Sequence, residues 1–202
     1  MRAILIVCSP KECADILNGN QTILIRKICP KQLRGDTPIK PEPIDVYIYC
    51  TKDGYLHLEN NGEWSYSRNQ KYTYIRTGKV VANFTLNKVE EIYWKQDLSN
   101  PYVSDNYNLG TDTLNEWELR NKSCLESEEL EDYLGFDDSE FKALGYAWHI
   151  SNLQILEKPR ELDYFTKRDC SQCPYNHEDM DGDECIGCII EKAPAVYCYV
   201  EI

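Results

Sequence analysis

Residues 3–28, AILIVCSPKECADILNGNQTILIRKI, set the architecture of this 202-residue chain. Ala3 to Val7 is an unbroken apolar run of strand length, the pattern of a strand covered on both faces. Ser9 then offers an N-cap, Pro10 the first helical position and Glu12 the third residue after the cap, so a helix begins there. Cys13, Ile16 and Leu17 fall three and four apart and give that helix one apolar face, and Gly19 ends it in a left-handed turn. Gln21 to Ile28 returns to β-formers and reads as a strand.

The rest of the chain extends this β pattern. Val46 to Thr51 reads as a strand, Tyr55 to Tyr74 as a hairpin turning at Asn60-Asn61-Gly62, and Gly78 to Val89 as a strand through Val80, Val81, Phe84 and Leu86. Between the first two of these strands, Pro30 to Pro43 carries four prolines and reads as a surface loop. Tyr146 to Leu156 is a further strand, in which Ala147, His149 and Ser151 alternate with Trp148 and Ile150, and Val196 to Ile202 is the last. Strands at both ends of the chain around one short helix predict an α+β fold, mostly β, built as a small barrel closed by its terminal strand. The chain is long enough to bury one core and reads as a single domain with decorations.

Charge is unevenly spread. The chain has 22 basic and 34 acidic residues, a formal net of −12, which argues against holding duplex DNA through unspecific phosphate contacts. From Glu90 to Glu140 there are 15 acidic residues against Lys95, Arg120 and Lys122, equal to the net charge of the whole protein. Within that stretch Leu114, Trp117, Leu125, Leu130 and Leu134 space out one or two amphipathic helices, so residues 96–144 read as an acidic helical insertion with a solvated face, or with a face that docks a protein partner. Positions 1–40 instead hold seven basic and three acidic residues, a local net of +4. No apolar run approaches the roughly 20 residues of a membrane span and no leader pattern opens the chain, so the expected location is cytoplasmic, with no membrane partner.

Four of the ten cysteines pair as Cys170-x-x-Cys173 and Cys185-x-x-Cys188, with eleven residues between the pairs. Two such knuckles bring four thiolates around one ion, so residues 165–192 read as a four-cysteine insertion holding structural zinc, with no open coordination position for water. His177 lies between the pairs, either as a substitute ligand or as a loop residue. Asp179, Asp181 and Asp183 read as an acidic turn, because no Glu closes a calcium loop of the required length. Cys8, Cys13, Cys29, Cys50, Cys124 and Cys198 sit mostly in apolar segments and are expected to pack as small hydrophobes.

A second constellation surrounds the first helix. Lys11 lies on it, Asn18 and Gly19 at its exit, and Gln21, Thr22, Arg26 and Lys27 on the following strand. Arg26 and Lys27 must point to opposite faces, so at most one of them lines a given pocket; a guanidinium among amide and hydroxyl side chains suits a base edge or a phosphate, and the alternative is an ordinary solvated strand edge.

The stretch Ile16 to Lys27, together with Gly78 to Thr85, Ala147-Trp148-His149-Ile150, Lys158 to Leu162 and Cys198-Tyr199-Val200, resembles the ASCH domain family. The resemblance implies a PUA-like β-barrel with RNA or a nucleotide bound in the cleft beside the first helix. It covers most of residues 1–95 and 145–202. The family's Gly-x-Lys-x-x-Glu-x-Arg signature is met at Gly19 and Arg26, while Gln21 and Leu24 replace the Lys and the Glu. Some family members hydrolyse acylated nucleosides with the Lys, a Thr and a later Glu, and the resemblance places Asn83 where that last Glu stands. Gln, Leu and Asn have no group to act as base, so the expectation is recognition by Lys11, Asn18, Gly19, Gln21, Thr22, Arg26 and Asn83, with hydrolysis of a modified nucleoside or a protein-adaptor role as alternatives.

Overall fold

The computed structural model describes residues 2–30, 33, 42–69, 76–96, 107–135, 144–167, 188–190, 192–195 and 197–201. In chain order the elements are β1 Arg2–Cys8, α1 Pro10–Leu17, β2 Ile23–Arg26, β3 Ile44–Cys50, β4 Tyr55–Leu58, β5 Trp64–Ser67, β6 Lys79–Leu86, β7 Val89–Gln96 and β8 Tyr107–Gly110. They continue with α2 Glu116–Ser123, α3 Ser127–Leu134, β9 Gly145–His149, β10 Ser151–Arg160, a 3-10 turn Leu162–Tyr164, β11 Thr166–Lys167, β12 Cys188–Ile189 and β13 Tyr197–Glu201. The fold is mostly β. It divides into two compact units, the first made of residues 1–17, 44–85 and 152–202 and the second of 18–43 and 86–151.

In the first unit one curled sheet runs β10-β6-β3-β1-β13-β11-β12, a half-barrel with β10 and β12 as its edges where the sequence pattern predicts a closed barrel. The terminal strand does return to the first: β13 pairs antiparallel with β1 from Arg2↔Glu201 to Ile6↔Tyr197, and β3 flanks β1 in parallel from Ala3↔Asp45 to Cys8↔Cys50. Ala3, Ile4, Leu5 and Ile6 are all fully buried, as a strand apolar on both faces requires. On the face of Ala3 and Leu5 the cover is Phe165, Ile190 and Val200 with Tyr49 and Val80. Helix α1 packs against β4 and β5 and touches β1 and β3, burying Pro10, Cys13, Ala14, Ile16 and Leu17.

The helix begins as its capping residues predict, with the Glu12 amide donating to the Ser9 hydroxyl at 3.2 Å. The β4–β5 hairpin turns at Gly62 with φ +86°, a conformation that favours glycine. Arg76 ties this hairpin to β10: its guanidinium lies 4.8 Å over the Trp64 ring and donates to the Leu156 carbonyl at 2.6 Å. Cys8, Cys13, Cys29 and Cys50 are buried and Cys124 and Cys198 half-buried, and none of the six is in a disulfide with another described residue. Contacts with the Cys50 and Cys8 thiols, and then burial, push the Cys13 thiol well up from its ordinary range.

The second unit is a four-stranded sheet, β2-β9-β7-β8, under α2 and α3. The segment 96–144 does more here than decorate a surface. Leu109, Leu114, Leu119, Leu130 and Leu134 from it share one core with Ile23, Ile25, Ile92 and Ala147. Asn115 and Glu118 close a reciprocal capping box on α2, and Cys124 ends the helix in the left-handed region with φ 55°.

Two long strands of the sequence reading are broken in the structure. The run to Val89 turns at Asn87 and Lys88 between β6 and β7, and Tyr146 to Leu156 breaks at Ile150 between β9 and β10, with Asn152 at φ 50°. The strand expected over Gln21 to Ile28 shrinks to Ile23–Arg26.

Leu119→Ala, which empties a fully buried position of the second unit's core, is expected to cost about 2–5 kcal/mol of unfolding free energy in a urea titration. Trp117→Ala on the same helix removes a side chain that is 70% exposed and is expected to stay within about 0.5 kcal/mol of wild type.

Candidate functional site

The turn Asn18 to Thr22 links α1 to β2. Gly19 has φ +76° and an added Cβ there would meet nothing within 4 Å, so backbone conformation and not crowding calls for glycine. Three hydrogen bonds fix the end of the turn. The Gln21 side-chain amide donates to the Ile23 carbonyl at 3.0 Å, the Thr22 amide donates to the Lys122 carbonyl at 2.9 Å, and the Ile150 amide donates to the Thr22 carbonyl at 2.9 Å.

Gln21 is therefore only 5% exposed and acts as an internal brace, while Asn18, Gly19, Asn20 and Thr22 remain exposed. Arg26 is half-buried, and its guanidinium donates to the neighbouring Ile25 carbonyl at 2.9 Å. Lys27 is exposed, with its ammonium on the Leu134 carbonyl at 2.6 Å and 5.5 Å from the Tyr133 ring centre. The remaining two expected binding residues belong to the first unit: Lys11 is exposed on α1 and Asn83 half-buried on β6.

Beside this turn lies a polar cluster that the sequence reading did not single out. His149 ends β9 opposite Ile23 of β2, and its backbone amide donates to the Lys88 carbonyl at 3.0 Å. Glu90, on the neighbouring strand β7, has a side chain only 8% exposed, and each carboxylate oxygen takes two donors. Oε1 accepts from Thr111 at 3.1 Å and Thr113 at 2.5 Å, and Oε2 accepts from Lys88 at 2.9 Å and His149 Nε2 at 2.6 Å.

Burial would raise the pKa of Glu90, but the hydrogen bonds from Thr113, Lys88, His149 and Thr111 outweigh it and bring it down to about 2. An ionised carboxylate only accepts, so His149 Nε2 carries the proton and, in the neutral ring, Nδ1 carries the lone pair. Burial lowers the pKa of His149, Lys88 and Lys122 add to that, and Glu90 opposes it. Glu90 also organises the start of α2. The Thr111 hydroxyl that donates to it accepts the amides of Thr113 and Leu114 at 3.2 and 2.9 Å, which shapes the turn before the Asn115 cap.

A signal for this cluster exists in the sequence: Glu90 is two residues before the buried Ile92 and His149 two after the buried Ala147, so period-two alternation puts both on the inner face.

Cys170, Cys173, Cys185 and His177 lie outside the described residues, as do Asp179, Asp181 and Asp183. Cys188 is described in its backbone only, in β12, where it stands opposite Lys167 of β11. Among the described residues no three His, Cys, Asp or Glu side chains gather to hold a metal, and no helix is long and apolar enough to cross a membrane. Comparison with protein-family models, with curated proteins and with solved structures finds no match for this chain.

The two titrations at the cluster act in the same direction. Glu90 binds its proton more weakly when folded, so its stabilisation is complete above about pH 4.5 and is lost as pH falls towards about 2. His149 also resists protonation in the folded state, so acidification below its ordinary pKa of 6.5 removes further stability. Thermal melts should therefore fall steadily from neutral pH into acid. Glu90→Gln should cost about 1–3 kcal/mol at pH 7 and flatten the acid limb of that profile; an unchanged limb would show that another group carries it.

Proposed function

We propose that the protein is an RNA- or nucleotide-binding module that recognises its ligand at the turn Asn18 to Thr22 and along β2. The observation that carries this reading is the turn itself. It presents exposed amide and hydroxyl side chains from a backbone pinned on both sides, beside Lys122 and His149. Pre-organised donors and acceptors of this kind lose little conformational freedom on binding a base edge. Arg26 follows at the end of β2 and supplies positive charge of the kind that phosphates need. A PUA-like barrel is the frame that the ASCH resemblance supplies for the reading, and the mostly β half-barrel with its terminal strand on β1 agrees with it.

At the turn the chemistry favours recognition over catalysis, since Gln21 and Leu24 are buried and neither titrates. Trp117, largely exposed between Glu116 and Glu118 on α2, favours a protein partner as a second reading for the acidic helices. A cytoplasmic location goes with six cysteines that form no disulfide among the described residues.

We also propose that Cys170, Cys173, Cys185 and Cys188 bind one structural zinc. The β11–β12 register supports it: Lys167 stands opposite Cys188, and the three residues from Lys167 to Cys170 span at most about 10 Å, so the chain length allows the first and last cysteines of the set to meet at one ion.

Short single-stranded RNAs, followed by fluorescence anisotropy at about 50 and 200 mM salt, test the main reading. Saturable, salt-sensitive binding that Arg26→Ala weakens about tenfold, with melting temperature unchanged, is expected. Equal affinity in the variant would remove β2 from the interface. For the metal, protein purified without chelator should contain one zinc per chain and lose stability in Cys170→Ser; far less zinc would end that assignment.

A further inference from the structure

We propose that Lys88 and His149, both held from behind by the Glu90 carboxylate, form with Lys122 a subsite for the terminal phosphate monoester of a nucleotide. The inference rests on the nucleotide-binding reading and assigns it a specific ligand group and a second set of residues.

Glu90 is buried and its four lone-pair directions are taken, so its role is to fix its donors and not to meet a ligand. Lys88 Nζ and His149 Nε2 share the one oxygen Oε2, at 2.9 and 2.6 Å, so Glu90 holds both side chains together, and a phosphate would meet Lys88 and the ring at Nδ1, the nitrogen that does not face Glu90. Lys88 is 48% exposed at its side chain and has one donor beyond those given to Glu90 and to Thr113. The His149 ring is 21% exposed, and its Nδ1 has no hydrogen-bond partner among the described residues. The Thr22 backbone bridges the Lys122 carbonyl and the Ile150 amide, so the nucleotide-binding turn and this cluster adjoin.

The charges around the His149 ring are Glu90 and Lys88, from β7 and the turn before it, and Lys122, from α2. From β2 the neighbour is Ile23, which is apolar, and of the turn before α2 Thr111 and Thr113 bind Glu90 while Asp112 is bonded by Tyr93. With the ring neutral, the set Lys88, Lys122 and Glu90 carries a net charge of +1. A phosphate dianion is matched only if His149 takes up a proton, so binding is linked to protonation at Nδ1. A phosphodiester, with one charge, gains far less from that proton than a monoester, which is why the subsite selects a chain end over an internal linkage.

The test compares two RNAs of one sequence, one with a 5′-phosphate and one with a 5′-hydroxyl, against wild type, Lys88→Met and His149→Gln at pH 6 and pH 8. His149→Gln keeps an N–H donor for Glu90 but cannot take up a proton. Its melting temperature, and that of Lys88→Met, is checked alongside. The phosphorylated RNA should bind wild type at least about tenfold more tightly, with the advantage larger at pH 6, and each variant should abolish the advantage while leaving affinity for the hydroxyl RNA within about twofold.

In NMR titrations the His149 ring resonances, assigned by their loss in His149→Gln, should report a pKa that rises when inorganic phosphate is added. Equal binding of the two RNAs, or an advantage that survives both substitutions, overturns the subsite and leaves the nucleotide-binding reading standing. Absence of any RNA binding overturns RNA as the ligand, and a His149 pKa that inorganic phosphate leaves unmoved then overturns the subsite as well.

Discussion

A strand that is apolar on both faces must be covered on both faces, and β1 imposes that demand on the first unit. Ala3 through Ile6 bury every side chain. One set of alternating residues needs Phe165 and its neighbours from the last quarter of the chain, and strand partners on both sides are needed to satisfy the backbone. The supply of β3 on one edge and β13 on the other joins the first residues to the last, so the unit cannot form until nearly the whole chain is present. Non-local pairing of this kind is costly in loop entropy and is recovered only through the burial that it permits.

The second unit solves the opposite problem. Its sequence between Glu90 and Glu140 is so acidic that its average character reads as a solvated face, yet burial is decided residue by residue. Five leucines from that stretch are enough, with two isoleucines of β2, Ile92 of β7 and Ala147 of β9, to build a core. The amphipathic helices, their caps and the hairpin at Gly62 were legible because local periodicity and turn chemistry determine them. The strand breaks at Lys88 and Ile150 were not, because each lies inside a continuous β-forming run, and tertiary pairing alone chooses where the chain changes sheet.

The site was legible in part, and the part that was missed has a physical reason. The polar turn at Asn18 to Thr22 follows from the Gly19 exit and is where the sequence placed it, but Gln21 is spent on bracing and Arg26 partly on its own backbone. Glu90 escaped notice because acidic residues around it invite a surface assignment. Its neighbour two places on, Ile92, contains the contrary information. An inward carboxylate on a strand carries a desolvation cost of several kcal/mol, which only a nearly complete set of donors offsets. Thr111, Thr113, Lys88 and His149 provide that set from three separate segments, so alternation along a strand turns His149 inward but does not reveal which carboxylate it meets.

The acidity of the chain and the placement of its cations are consistent with one another. A net charge of −12 repels an extended polyanion, so affinity built from many loose phosphate contacts is disfavoured from the outset. Within a Debye length of about 8 Å, however, the field is set by nearest neighbours. Around His149 those are two lysines and one carboxylate that is already saturated with donors. The acidic background therefore weakens long, unspecific contacts while leaving a short-range, proton-linked one nearly intact. On the proposed reading, a protein charged in this way would discriminate by the group that it meets at the cluster and not by the length of the polymer behind it.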